Sequence, residues 1–471
     1  MTSESVLEIF KEITRIPRES GHEGPITAWL CKWAENHGFE YRTDATGNVC
    51  IVKPASPGKE NVPAIVLQAH QDMVCEKNAD FEFDFATQAI PYEIEDGWMI
   101  AKNTTLGADD GIGIAACLAL MESDRPMGRV ESIFTISEET GMDGANAMEK
   151  GFFTGKTLIN LDSEDEGQLF IGCAGGEHTD AYFTYRTEPL KKGSKVVELA
   201  VTDGIGGHSG DDINKFRANT VKILSGFLNR NKSFQLVSLC GGGKSNAIAR
   251  ECRAVVASSD ADVLAANFLA YGKLVSASFA TTDPSLKFSV SEAGAAGAID
   301  SRTADAILTA LAEVPHGVVS MSPDIAGLVQ TSTNLAAVSS PEPGIIKVAT
   351  SQRSSVEDEL DAIVGKVAGI FDKAGARVEC YSKYPGWQPN LKSPILAQSV
   401  ESYRKLFGQD PQVLAIHAGL ECGLFLEKFP GLDMISFGPT LRGVHAPGEK
   451  LELASMDRFV ELLDDVVCNF R

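Results

Sequence analysis

Apolar positions along the first 177 residues recur with two different spacings. Residues 3–16 and 24–36 place apolar side chains three and four apart, which predicts two amphipathic helices, the first starting at a serine. Residues 48–53, 64–69, 132–136 and 157–161 are short β-branched or apolar runs and predict strands. Residues 110–121, small and apolar throughout, predict a buried helix. Apolar strands alternating with helices predict a sheet covered on both faces.

The pattern changes between 178 and 388. VELAVTDGIGG, ending at Gly207, matches LKFSVSEAGAAG, ending at Gly297, and a helical run follows each, at 219–229 and 304–314. Next come FQLVSLCGGGKSNAIARECRAVVAS and GVVSMSPDIAGLVQTSTNLAAVSS, each a strand, a glycine-containing turn, an asparagine (Asn246, Asn334) and a second strand. Two copies of one β-α-β-β unit predict an α+β domain of doubled size. Residues 389–471 return to helix and strand, with helices at 394–406 and 455–468 and a strand at 433–437. The expected organisation is therefore one α/β domain built from 1–177 and 389–471, with 178–388 inserted, and YPGWQPN as a crossing point.

Composition narrows the function. Lys and Arg number 42 against 64 Asp and Glu, a net charge of −22, which argues against nucleic acid and anionic membranes as partners. No stretch approaches 18 uncharged apolar residues, and the charged N-terminus does not read as a signal peptide. The ten cysteines include no C-x-x-C pair and read as reduced thiols of a cytoplasmic protein.

The candidate chemistry lies at strand ends. In AIVLQAHQDMV an apolar strand ends in His70, and Asp72, two residues on, points the same way and can orient a metal-binding imidazole. TTLGADDGIG sets Asp109 and Asp110 before the apolar helix, where an N-cap reading also fits. Glu138 and Glu139 follow a strand and could divide cation binding from general-base work, or form a solvated acidic loop. Asp162 ends another strand, and His445 lies in a loop between Gly443 and Pro447. Open α/β sheets place sites at carboxyl strand ends, and two His with several Asp/Glu suit zinc or a similar divalent cation. GGGKS at 241–245 lacks the glycine of a phosphate-binding loop, because position 238 is Ser238.

The motifs AHQDMV, TTLGADDGIG, SEETGMDGA, LINLDSEDEG, GGHSGDDI, HAGLECG and GVHAPGE occur in the order found in the aminoacyl-histidine (Xaa-His) dipeptidases, a group of the two-zinc peptidases and amidohydrolases, which the sequence resembles over essentially its whole length. That resemblance implies a mixed-sheet zinc-peptidase catalytic domain with an inserted lid domain. It implies that His70 and Asp162 hold one Zn2+, that Glu139 and His445 hold the other, and that Asp109 bridges them, with Co2+ or Mn2+ as substitutes. Asp72 would orient His70, and Glu138 would be the general base. His208 would stabilise the oxyanion; Asn246 and Arg353 would hold the substrate, with Gly419 and Leu420 against its C-terminal end. The implied activity is hydrolysis of small dipeptides such as β-alanyl-histidine, and a homodimer is expected. Two other readings remain: hydrolysis of N-acyl amino acids by the same metal chemistry, and a non-enzymatic metal- and peptide-binding protein.

Overall fold

The structure is a computed structural model and describes residues 1–210 and 212–471; Asp211, within the GGHSGDDI motif, lies outside the described residues. The chain forms two compact units. The first comprises Met1–Gly172, Trp387–Ala415 and Leu420–Arg471, and the second Cys173–Gly386 and Ile416–Gly419.

The first unit is built on an eight-stranded sheet. Its order is Glu40–Thr43, Val49–Lys53, Val130–Thr135, Ile65–His70, Thr157–Asn160, Asp433–Ser436, Gln168–Cys173, Gln412–Ile416. The four inner strands from Val130–Thr135 to Asp433–Ser436 run parallel, and Val49–Lys53 pairs antiparallel with Val130–Thr135. The sheet is therefore mixed, as expected. Parallel strands covered on both faces are buried along their whole length and mostly apolar, and Ile65–His70 and Val130–Thr135 are buried throughout. The predicted buried helix spans Ala108–Glu122 and packs between the Ser3–Ile13 helix and the Ile65–His70 strand. Its small residues permit that close approach: a Cβ on Gly111 would come within 2.9 Å of the Phe10 ring. A small four-stranded sheet, absent from the sequence reading, joins Leu441–Arg442, Lys450–Glu452, Trp98–Ala101 and Tyr92–Glu95. The loop carrying His445 connects its first two strands.

The second unit has a nine-stranded sheet whose halves mirror each other. The order is Lys287–Glu292, Lys195–Thr202, Cys252–Ser258, Gln235–Gly242, then Val329–Ser339, Ile345–Ser354, Gly175–Thr184, Arg377–Tyr384, with Gly317–Met321 also on Val329–Ser339. The Ala261–Ser278 helix covers the outer two strands of one half, and Glu357–Lys373 covers those of the other. The doubling is real, but its register differs from the expectation. The Lys195–Thr202 strand corresponds to Gly175–Thr184, not to Lys287–Glu292, and the 235–258 hairpin corresponds to 329–354. One copy is inserted after the first strand of the other, so matching segments in simple chain order pairs an inner strand with an edge strand. The two halves share a core that includes Leu199, Phe227, Leu239, Leu335, Val348 and Phe371. No helix among the described residues is long and apolar enough to cross a membrane.

Candidate metal centre

Three parallel strands of the first unit deliver their carboxyl ends to one edge. His70 is the last residue of its strand and lies opposite Thr135, after which the chain turns through Ser137 to Glu138 and Glu139. Asn160 ends the third strand, and Asp162 follows. The turn 105–109 and the loop around His445 complete the group.

Asp109 occupies the centre. Its Oδ1 lies 2.9 Å from His70 Nε2, and its Oδ2 lies 3.2 Å from His445 Nε2. On the His70 side, Asp162 Oδ1 is 3.4 Å from the same Nε2. On the other side, Glu139 Oε1 is 2.8 Å from His445 Nε2. One carboxylate thus addresses two imidazoles with two different oxygens, and each imidazole has a second carboxylate beside it. Asp110 also lies close to His70 and Asp162, but its oxygens accept the backbone N–H groups of His70 and Gly113. It supports the strand end and is spent on backbone.

Asp72 joins two parts of the site. Its backbone oxygen is 3.1 Å from His70 Nδ1 and its Oδ1 is 3.4 Å away. The same carboxylate accepts the N–H groups of Glu138 and Glu139 and the hydroxyl of Ser20. Burial would raise its pKa, but the His70 ring and these donors outweigh burial and hold it at about 2. Asp72 is therefore a fixed anion that orients one imidazole and the Glu138–Glu139 turn together.

The charges are crowded. Burial would depress His70, but Asp162 and Asp109 outweigh it and hold its pKa well above the usual imidazole value. Contacts with Asp109 and Glu139 push His445 up to about 11. Asp109 would be raised by burial, yet His445 and His70 hold it far below the carboxylate range. Asp162 is driven well above that range by burial and then by the charge of Asp109. Glu138 is pushed up to about 8, by burial first and then by Glu139, Asp109 and Asp72 against the opposing pull of His70. Two divalent cations set among these donors would relieve the same repulsion. Two imidazole nitrogens with three carboxylates is a donor set that fits zinc, cobalt or manganese.

The second unit gathers most of the other candidates. His208 Nδ1 accepts the Gly210 N–H at 3.3 Å, and Asp212 Oδ2 accepts the His208 backbone N–H at 2.8 Å. Gly210 packs on the carbonyl of His417, where a Cβ would come within 2.4 Å. His417 Nε2 is 2.7 Å from Ser332 Oγ, a structural contact. Asn246 is exposed in the turn of the 235–258 hairpin, and its carbonyl accepts the Ser209 N–H. Asn334, noted in the sequence only as the repeat partner of Asn246, holds that turn by donating to Ser245 O and Ala247 O. Arg353 and Tyr384 lie in register with Gly176 from opposite sides, and a Cβ on Gly419 would touch the Tyr384 ring at 2.9 Å. Arg353 Nε is buried without a hydrogen-bond partner among the described residues. Leu420 belongs to the first unit, where it caps the Glu421–Lys428 helix.

Sequence reasoning missed several supports. Glu421 is fully buried and its Oε2 accepts from Gln68 Nε2 at 2.6 Å and Thr135 Oγ1 at 2.8 Å, while Gln68 Oε1 accepts from Asn160. This polar layer lies under the strand ends that carry His70 and Asp162. Burial and then the charge of Glu138 push Glu421 up to about 8. A glutamate inside HAGLECG, five residues beyond the Gln412–Ile416 strand, is the only signal the sequence offers for it. Tyr384, beside Arg353, opens YPGWQPN and was read only as part of a crossing point.

The sequence profile of peptidase family M20/M25/M40 matches residues 66–469. The cytosol non-specific dipeptidase of Escherichia coli (strain K12) is 35% identical over 474 aligned residues, covering 99% of this chain and 98% of its own. The crystal structure of aminoacylhistidine dipeptidase from Vibrio alginolyticus matches with a TM-score of 0.93 at 36% identity, covering 99% of this chain and 96% of that one. The aminopeptidase PepT of Bacillus cereus ATCC 10987 shares the fold, with a TM-score of 0.64 at 18% identity over 99% and 98% of the two chains.

Proposed function

The chain belongs to peptidase family M20/M25/M40 and is a hydrolase, and from that premise we propose that it cleaves dipeptides, Xaa-His dipeptides such as β-alanyl-histidine among them, in the cytoplasm. The observation that carries the proposal is the division of Asp109 between His70 and His445, with Asp162 and Glu139 at the two ends and Glu138 next to Glu139. The names of the E. coli and Vibrio relatives support dipeptides as the substrate class, and the former supports the compartment.

In this reading His70 and Asp162 would hold one Zn2+ and Glu139 and His445 the second, with Asp109 placed to serve both. Bound there, the pair supplies Lewis-acid polarisation of the scissile carbonyl and a water of lowered pKa. Glu138 takes the proton from the attacking water at its carboxylate and delivers it to the leaving amine, so it is charged before attack and neutral after it. Asp72 holds the Glu138 N–H and fixes the direction of that carboxylate. His208 is the candidate donor to the developing oxyanion. Arg353 presents a guanidinium with an unused donor to the free carboxylate of a dipeptide.

The test is release of free histidine from β-alanyl-histidine by the zinc-reloaded chain, with a chelator-treated sample, dipeptides without histidine and N-acyl amino acids alongside. Metal-dependent turnover of the dipeptides is the expected result. Turnover confined to acyl amino acids would overturn the substrate class, and stoichiometric zinc binding with no turnover at all would overturn the reaction.

A further inference from the structure

We propose that Arg18 and Glu449 are positioning residues that lock three ligand-bearing segments in their metal-accepting arrangement before any cation binds. This inference rests on the reading of His70, Asp109 and His445 as ligands. Both side chains are ionisable, and each residue is only 2% exposed. Burying such groups is costly unless every polar atom finds a partner, and here the partners are backbone groups of the site.

Glu449 reads the turn before Asp109 as an anion cradle. Its Oε2 accepts the N–H groups of Leu106 at 2.7 Å and Gly107 at 3.0 Å, and its Oε1 accepts that of Ala108 at 2.8 Å. Glu449 lies four residues after His445, so these bonds tie the His445 loop to the Asp109 turn. Arg18 grips the same turn from its other side. One guanidinium nitrogen donates to Gln71 O at 3.1 Å and Asp72 O at 2.8 Å, and the other donates to Gly107 O. That ties the Asp109 turn to the segment just beyond His70. The Gly107 peptide is thus held at its N–H by Glu449 and at its C=O by Arg18.

The glycines of TTLGADDG fit this role. Gly107 has φ +68, and a Cβ there would stand 2.4 Å from Arg18 Nη2; one on Gly111 would stand 2.6 Å from it. The turn is shaped around the guanidinium. None of the clamp bonds uses a side-chain atom of His70, Asp109 or His445, so the metal-facing atoms stay available while their backbones are fixed. A carboxylate cluster that repels itself needs such external restraint to stay converged.

The experiment uses the full chain, stripped of metal, and three measurements. Zinc affinity is read by competition with a chelating dye for wild type, E449Q and R18K. The unfolding midpoint of each metal-free protein is recorded, and hydrogen exchange is followed for the 104–110 amides of metal-free wild type. We expect zinc affinity to fall about 10- to 100-fold in E449Q, in line with loss of a partner that orients a ligand, and the wild-type 104–110 amides to be protected without metal. Wild-type affinity in E449Q overturns the proposal, even if its unfolding midpoint drops, because that is what a purely structural staple would do. Unprotected 104–110 amides in metal-free wild type overturn it too, and this measurement decides the matter if the variants fail to fold. If wild type itself binds no zinc, the ligand reading fails first and the proposal with it.

Discussion

His316 makes a quantitative demand on the second unit. Its Nδ1 accepts from two donors, the Leu335 N–H at 3.3 Å and Asn219 Nδ2 at 3.4 Å, so a proton on that nitrogen has no room. Burial, and then the charge of Lys222, depress its pKa from 6.5 to about 4. Unfolded, the same imidazole takes up a proton near pH 6.5. The unfolded state therefore binds more protons between these values, and stability is lost as pH falls from about 7 towards 4. With folded and unfolded values of 4 and 6.5, the linkage relation gives a loss of about 2 kcal/mol between pH 7.5 and pH 5. His316→Asn keeps an acceptor near the Nδ1 position and does not titrate. The four tryptophans all lie in the first unit, so their fluorescence does not report on this one. Native-state hydrogen exchange of amides in Gln235–Gly242 and Val329–Ser339 does, at both pH values, with intrinsic rates corrected. Wild type should lose about 2 kcal/mol more than H316N across that interval; titration at the candidate metal site is common to both proteins and cancels. Equal losses in the two proteins would refute the assignment.

Four further outcomes are expected. Glu138→Gln should lower kcat about 100- to 10,000-fold while zinc content, read by atomic absorption, stays at the wild-type level. Arg353→Ala should raise KM for a dipeptide roughly 10- to 100-fold, the worth of a charge-assisted hydrogen bond, and should leave KM for the C-terminally amidated dipeptide nearly unchanged. Asn334→Ala removes the two bonds that hold the Asn246 turn, so exchange of the 243–248 amides should quicken and KM should rise more than kcat falls. Phe371→Ala empties a fully buried site beside Phe183 and should cost about 3–5 kcal/mol in the unfolding of the second unit.

The inner strands and the candidate residues at their ends were legible because each is a local pattern. An apolar run that stops at His70, or just short of Asp162, states both the strand and its terminus. The Ala108–Glu122 helix was equally plain, since thirteen of its fifteen residues are buried and the sequence there is small and apolar. Arg18 and Glu449 were not legible. Their partners are backbone groups, which carry no residue identity, and Glu449 reaches its amides across 341 to 343 positions of chain. Glu421 was hidden for the same reason, because Gln68 is 353 residues away. The register of the doubled unit failed on topology: a strand displaced to the far side of an insertion cannot be matched by scanning in chain order. The small sheet that frames His445 pairs residues 441–452 with 92–101, and its strands of two to four residues are too short to show a period.

Glu138 and Glu139 show how one turn can set two carboxylates in different surroundings. Both amides are capped by Asp72, so the backbone treats the two residues alike. Their side chains do not meet the same surroundings. Glu139 Oε1 lies 2.8 Å from His445 Nε2. Glu138 has burial and three neighbouring anions raising it to about 8, against His70 alone pulling the other way. A carboxyl group raised towards neutral pH suits acid–base chemistry there, since the group that gives up its proton reluctantly can also return it. The strand Val130–Thr135 supplies the direction and Asp72 the orientation, and the unequal surroundings of the two side chains are what the proposed division into a metal-binding and a proton-carrying carboxylate rests on.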